Sequence, residues 1–378
     1  MNKQIYFDNA ASTKVDERVV KEMLPYFTEK YANASSIHEM GKEAKRALEE
    51  SRQTIAKAIN ANKEEIYFTS GGTESNNFAL KGLFFSNFPK KNHIIITKIE
   101  HDCVLNTCKW LEKQGARVTY LNVDKEGFVN PKDIEKEITD KTIVVSIIHG
   151  NNEIGTIQDL DAIVKICKAK NVLFHTDACQ SFTKVPIDVK KQNLDLVTLN
   201  SHKIHGPKGV GALYIKKGIE ITPLLHGGGH EKGLRSGTEN ISGIVGFAKA
   251  VNIANKKEIE KMTVLRDKAI NELLKIPGIK LNGSREKRLC NNINISFENV
   301  DGEVVGGYLE NYGVLTSAGS ACMSHSTSGI SHVLKAIGLS DEKASNSIRV
   351  SISKFTIDEE IDYFLEKIRK ILGKFQKI

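Results

Sequence analysis

No stretch of this 378-residue chain reaches the ~18 consecutive apolar residues that a membrane-spanning helix needs, and the opening MNKQIYFDNA has no apolar run like that of a secretory leader. A soluble, cytoplasmic protein is therefore expected, with no membrane partner. The six cysteines (Cys103, Cys108, Cys167, Cys179, Cys290 and Cys322) form no CxxC pair, which argues against a disulfide framework and a structural zinc site, so no metal is expected. Neither GxxxxGK[ST] nor a complete GxGxxG occurs, which weighs against an NTPase or a dinucleotide enzyme. Internal repeats and low-complexity segments are also missing. Basic residues exceed acidic ones by 54 to 46, a net charge of +8 spread along the chain, with one local cluster at Lys367, Arg369, Lys370, Lys374 and Lys377. No nucleic acid is implied. A mild positive field suits an anionic small ligand or an acidic protein better.

What is present is an alternation of strands and helices. Hydrophobic residues make up 40% of the chain and charged ones 26%, enough for a large core in one two-part enzyme or two domains. Apolar or small residues at Ala44, Ala47, Leu48, Ser51, Ile55, Ala58 and Ile59 recur at helical spacing over 42–60. Strand-like runs follow at 66–69, 93–98, 117–123, 142–149, 172–176, 196–199 and 211–215, mostly separated by helix-length segments such as 161–170. Several of these runs are apolar throughout, which predicts an α/β fold with a mostly parallel sheet covered on both faces. After about residue 255 the texture changes. A charged helix over 256–274, strands over 293–297 and 348–352, and a final helix with Ile361, Phe364, Leu365, Ile368, Ile371, Leu372 and Phe375 on one stripe indicate a smaller α+β unit.

Ligands of open α/β sheets collect at the C-terminal ends of the strands, and the polar residues cluster in those loops. Ser70-Gly71-Gly72-Thr73 joins a strand to a helix, where backbone N–H groups suit a phosphate, although a glycine turn with a threonine N-cap gives the same string. Asp177, in His175-Thr176-Asp177-Ala178-Cys179-Gln180, is either a helix cap or the partner of a cationic ring nitrogen. Lys203, before a Gly/Pro turn, is either solvated or poised for Schiff-base chemistry. Cys322 sits among small residues that leave a thiol accessible, whereas most of the other cysteines, including Cys103 and Cys108, are expected to be structural.

In order along the chain, YFDNAAST, TSGGTESNN, Glu100-His101, HGNNEIG, HTDACQ, SHKIHGPKG, HGGGHEKGLRSGTEN, SAGSAC and SIRVS together resemble the pyridoxal-phosphate-dependent cysteine desulfurases of the NifS/IscS type, in the class V aminotransferase family. The resemblance spans almost the whole chain. It implies fold type I of the pyridoxal-phosphate transferases, with a seven-stranded large domain over 14–255 and a smaller domain made of 1–13 and 256–378 that carries the cysteine loop.

The resemblance also implies roles for individual residues. Lys203 binds pyridoxal phosphate covalently and moves protons; Asp177 pairs with the ring nitrogen; His101 stacks on the ring and serves as an acid or base. Gln180 and Asn152 bond the ring's phenolic oxygen. Gly72, Thr73 and His202 hold the phosphate, with Thr238 reaching in from the other subunit of a homodimer. The position that usually carries a phosphate-binding serine holds Asn200, whose amide can donate, with the Ser201 hydroxyl as the alternative. Arg349 and Asn33 take the substrate carboxylate, although Asn33-Ala34-Ser35-Ser36 replaces the usual Asn-Pro-Ser-Ser. Cys322, helped by His325 or His101, takes sulfur from L-cysteine as a persulfide for an acceptor such as an iron–sulfur scaffold protein, and possible end uses include tRNA or cofactor thiolation. The alternatives are a selenocysteine lyase, a related class V aminotransferase, or a non-enzymatic scaffold.

Overall fold

Periodicity alone places alternate residues of a strand on opposite faces, and the computed structural model, which describes residues 4–318 and 330–375, follows that rule. Seven strands form the main sheet in the spatial order Ile66–Thr69, Gly211–Ile215, Leu196–Asn200, Leu173–Asp177, Thr142–Ser146, His93–Thr97, Arg117–Leu121. Only Gly211–Ile215 runs against its neighbours. The other strand directions agree, so their C-terminal ends share one edge. Ile95, Val145, Phe174 and Val197 pack on one face with the helices Glu39–Ala58, Leu160–Ala169 and Ile241–Ile253. Ile94, Ile96, Val144 and Leu196 pack on the other with Gly72–Asn87 and Asp102–Glu112. The sheet is buried on both sides, which is why its sequence reads as continuous apolar runs.

Strand ends differ slightly from expectation. The run over 142–149 stops as a strand at Ser146, where the chain turns to reach the sheet edge, though the Ile147 and His149 N–H groups still donate to the His175 and Asp177 carbonyls. The run over 172–176 extends to Asp177, which makes this carboxylate the last residue of a central strand.

A second, antiparallel sheet orders Ser317–Ala318, Ser347–Ser351, Asn292–Phe297 and Ile279–Leu281. Its core is closed by the helices Lys256–Leu273 and Asp358–Phe375, and Ile5 and Phe7 from the other end of the chain join it. Ile5–Tyr6 pairs with Val314–Leu315. From there the chain runs along Ser351, whose carbonyl accepts from Asn9 Nδ2 at 2.8 Å and whose Oγ accepts from the Ala10 N–H at 2.8 Å. These contacts deliver Ala10 and Ala11 to the edge of the large sheet. No helix among the described residues is long and apolar enough to cross a membrane.

Phe364 is fully buried, and its ring meets Phe7 edge to face at 5.8 Å. Phe364→Ala should cost about 3–5 kcal/mol, the usual range for emptying a buried phenylalanine site, and chemical denaturation should show it as a fall in the transition midpoint.

Candidate active site

Five of the six strands that end on the shared edge hand their chains to polar loops that line or support one cavity of about 320 Å³, a size suited to a small ligand. Its wall includes Gly72, Thr73, His101, Asn152, Asp177, Gln180, Asn200, His202 and Lys203, all expected at the site, together with Ala10, Ala11, Asn76, Cys103, Ile148 and Cys179.

At one end the Gly72–Asn87 helix begins. Its N-cap is Gly71, not Thr73, and Gly71 has φ 150°, a conformation that favours glycine. A Cβ at Gly72 would lie 2.5 Å from the Cys179 sulfur, so the close approach of helix and sheet requires glycine there as well. N–H groups of a helix's first turn have no acceptor within the helix and attract anions. Asn200 ends its strand beside them. Its Oδ1 is buried without a hydrogen-bond partner, while its Nδ2 lies 3.4 Å from where a Gly72 Cβ would stand. The amide therefore turns its donor side toward the helix start. The Ser201 side chain packs instead against Gly206 and stays out of the cavity wall. His202 places Nδ1 3.3 Å from the Ser12 hydroxyl. Burial, followed by the charges of Lys203, Lys208, Lys184 and His101, pushes its pKa down to about 4, so it is a neutral imidazole at pH 7.

The other end is built around Asp177. Its Oδ2 accepts from Asn76 Nδ2 at 2.7 Å and its Oδ1 from the Cys179 N–H at 2.9 Å, so both oxygens are oriented by donors. Neighbouring groups are kept uncharged. Burial pushes the Glu100 carboxyl up to about 8 against the hydrogen bonds from Thr97 and the Ile148 N–H, with the Asp177 charge adding to the rise. Burial and then Asp177 push the Cys103 thiol up to about 12. Burial takes the imidazole of His175, held between the Ser146 and Thr198 hydroxyls, down to about 4. Asp177 thus stands among groups that burial holds neutral.

His101 caps the Asp102–Glu112 helix. Its Nδ1 accepts from the Cys103 N–H at 3.2 Å. The Lys203 Nζ donates to the Ala10 carbonyl and, at 2.6 Å, to that of Ala11. The Gln180 Nε2 also donates to the Ala10 carbonyl, at 2.8 Å.

Other expected residues lie elsewhere. Arg349, buried in the small sheet, pairs with Asp8 at 2.8 Å and donates to the Asn152 carbonyl at 3.2 Å. Asn33 is exposed, its Oδ1 accepting from the Ser35 N–H, and it does not line the cavity. Thr238 is exposed and close to Arg235, which grips Glu74 through two hydrogen bonds of 2.7 and 3.0 Å. Cys322 and His325 fall outside the described residues. Cys103, expected to be structural, instead lines the cavity 3.1 Å from both His101 Nδ1 and Asn76 Nδ2. Sequence reasoning assigned no role to Asn76, although one helical turn separates it from Gly72 and Thr73 and so puts it on the same face.

A lysine amine, a carboxylate isolated in a neutral setting, and a helix start with amide and imidazole donors form the complement of a phosphorylated pyridine aldehyde, and the cavity fits it. With this sheet order, they define a pyridoxal-phosphate enzyme of fold type I. The chain belongs to the aminotransferase class-V family, whose sequence pattern matches residues 5–364. It is 49% identical to a cysteine desulfurase IscS of Clostridium botulinum (strain Hall), over 98% of this chain and 95% of that one. A cysteine desulfurase IscS of Methanosarcina thermophila is also 49% identical, over 100% of this chain and 94% of its own. Among solved structures, a NifS-like protein superposes with a TM-score of 0.92 at 41% identity, covering 98% of this chain and 100% of its own. A structure described as SspA in complex with cysteine matches with a TM-score of 0.84 at 38% identity, covering 94% and 100%.

Two substitutions test the two ends. Asn200→Ala removes one donor among several and should weaken pyridoxal phosphate binding about tenfold, the scale of one hydrogen bond to a charged group, as read by equilibrium titration; complete loss of binding would show a larger role. Asn76→Ala leaves Asp177 with one of its two donors and should shift the visible band of the bound cofactor with little change in folding, checked by absorbance and circular dichroism.

Proposed function

We propose that this chain is a cysteine desulfurase that converts L-cysteine to L-alanine and holds the released sulfur as a persulfide on Cys322. The observation that carries this reading is the single cavity in which Lys203, Asp177 and His101 meet beside a helix start. When bound, pyridoxal phosphate draws electrons from the substrate α-carbon through its protonated ring. Asp177, held by Asn76 and the Cys179 N–H, keeps the proton on the ring nitrogen. Thr73, Asn200, His202 and the first-turn N–H groups near Gly72 bind the phosphate. His101 covers the ring face, and Gln180 and Asn152 orient the ring through its phenolic oxygen. The Lys203 amine, after anchoring the cofactor, removes the substrate α-proton and returns a proton later in the cycle.

Arg349 recognises the substrate carboxylate, a planar guanidinium matched to a planar anion, exchanging its Asp8 contact for the ligand. Asn33 is a second contact for the same group. An unperturbed thiol has a pKa near ~8.5, so His325 or His101 assists in forming the Cys322 thiolate. That thiolate attacks the substrate sulfur. The S–S bond forms as the carbon–sulfur bond breaks, the electron pair passes to carbon, and protonation there completes alanine.

The domain division at 14–255 against 1–13 plus 256–378 goes with this reading, as does a cytoplasmic homodimer in which Thr238 reaches the phosphate of the other subunit. The sulfur acceptor is a protein such as an iron–sulfur scaffold.

The test is anaerobic incubation of the protein with L-cysteine and a reducing thiol, with alanine and sulfide quantified together. Equal yields are expected. Cys322→Ala should still bind pyridoxal phosphate and release no sulfide, and retained sulfide release would remove Cys322 from the mechanism. Bound cofactor with neither product would move the reading to a selenocysteine lyase or an aminotransferase.

A further inference from the structure

Lys184 lies seven residues past Asp177 and faces a narrow crevice of about 30 Å³, separate from the cofactor cavity but bordered, like it, by Lys203. Its Nζ donates to the main-chain carbonyl of Gln180 at 2.9 Å and to that of Lys203 at 3.1 Å. Lysines without a task carry their ammonium out to water along a flexible stem. This one instead spends its donors on two neutral carbonyls, one from each segment that lines the cofactor cavity. The side chains of the same two residues, Gln180 and Lys203, meet at a single acceptor, the Ala10 carbonyl. The result is a closed circuit of hydrogen bonds in which Lys184 joins the main chains and Ala10 joins the side chains.

We propose that Lys184 is a positioning residue for Lys203: its ammonium sets the spacing between the Gln180 and Lys203 segments and places a positive charge next to the amine that binds the cofactor. This rests on the reading of Lys203 given above. Facing Lys184 across the crevice are Lys203, His205, Glu258 and Lys354. Glu258, the one carboxylate, lies 3.9 Å from Lys354, which also pairs with Asp16 at 2.7 Å. His205 is pushed down to about 4 by burial and is neutral at pH 7, and the Cys179 and Cys290 thiols on the remaining sides are raised by burial and stay protonated. No carboxylate in that surround pairs with the Lys184 ammonium; burial pulls its pKa down to about 8, so it is charged at pH 7, and its reach includes His202. A cation near the Lys203 nitrogen opposes its protonation, so the wild-type nitrogen titrates lower than it would without Lys184.

The experiment is a pH titration of the visible absorption band of the holoenzyme, for wild type, Lys184→Met and Lys184→Arg, with kcat and KM measured alongside. Lys184→Met should raise the midpoint by about half to one pH unit, the scale of a nearby charge in a partly solvated site, and lower kcat with KM for L-cysteine nearly unchanged. Lys184→Arg keeps the charge and should restore the wild-type midpoint. A Met variant that titrates with wild type overturns the proposal, and so does an Arg variant shifted as far as Met. If Lys184→Met does not fold, Lys184→Gln, which retains donors but not charge, is read in the same way, and an unshifted midpoint again overturns it. Lys203→Ala separates the two readings: a visible band that persists there with its pH dependence intact removes the role of Lys203 and this proposal with it, whereas a band lost in Lys203→Ala but unshifted in Lys184→Met removes only the role of Lys184.

Discussion

Parallel strands end on the same side of a sheet, and the chemistry of this protein depends on that constraint. Thr69, Thr97, Ser146, Asp177 and Asn200 are the last residues of their strands, and each is followed by a segment that lines or supports one cavity. Residues as distant in sequence as Gly72 and Lys203 become neighbours because their strands belong to one sheet. The reversed strand Gly211–Ile215 lets Ile66–Thr69 join at the end of the sheet while keeping the common direction, which places the start of the Gly72–Asn87 helix across from Asp177.

Within that frame burial holds the ionisable neighbours of Asp177 in their neutral forms. Both Asp177 oxygens accept hydrogen bonds, one from Asn76 and one from the Cys179 N–H, and so face fixed directions. The nearby Glu100 carboxyl, the Cys103 and Cys179 thiols and the His175 imidazole are all pushed toward their neutral forms. The raised Cys103 has a further consequence. A thiol in the cavity wall would compete for sulfur if it ionised, and its surroundings hold it protonated.

The amino-terminal segment ties the two cores together. Ile5 and Phe7 are buried with the small sheet, and three residues later the Ala10 carbonyl accepts from both Gln180 and Lys203 at the edge of the large one. A shift between the two cores is therefore felt at Lys203.

The strands of the main sheet were legible because a strand buried on both faces must be apolar throughout; Gly72, Thr73, Asp177 and Lys203 stood out at strand ends, whereas His101, Asn152, Gln180, Asn200 and His202 were legible only through the family resemblance. The fold class and the order of those loops are written in the sequence, and with the family resemblance it points to nine of the residues lining the cavity. Three-dimensional packing settles which way each side chain turns. It swung the Ser201 hydroxyl toward Gly206 and put the Asn200 amide in its place, brought Cys103 to the cavity wall, set Arg349 against Asp8, turned Asn76 onto Asp177, and gave the Ala10 carbonyl a role that no local pattern announces. The physical reason is that apolar periodicity is written along the chain, whereas a hydrogen bond between residues a hundred positions apart exists only after packing has fixed the distance between them.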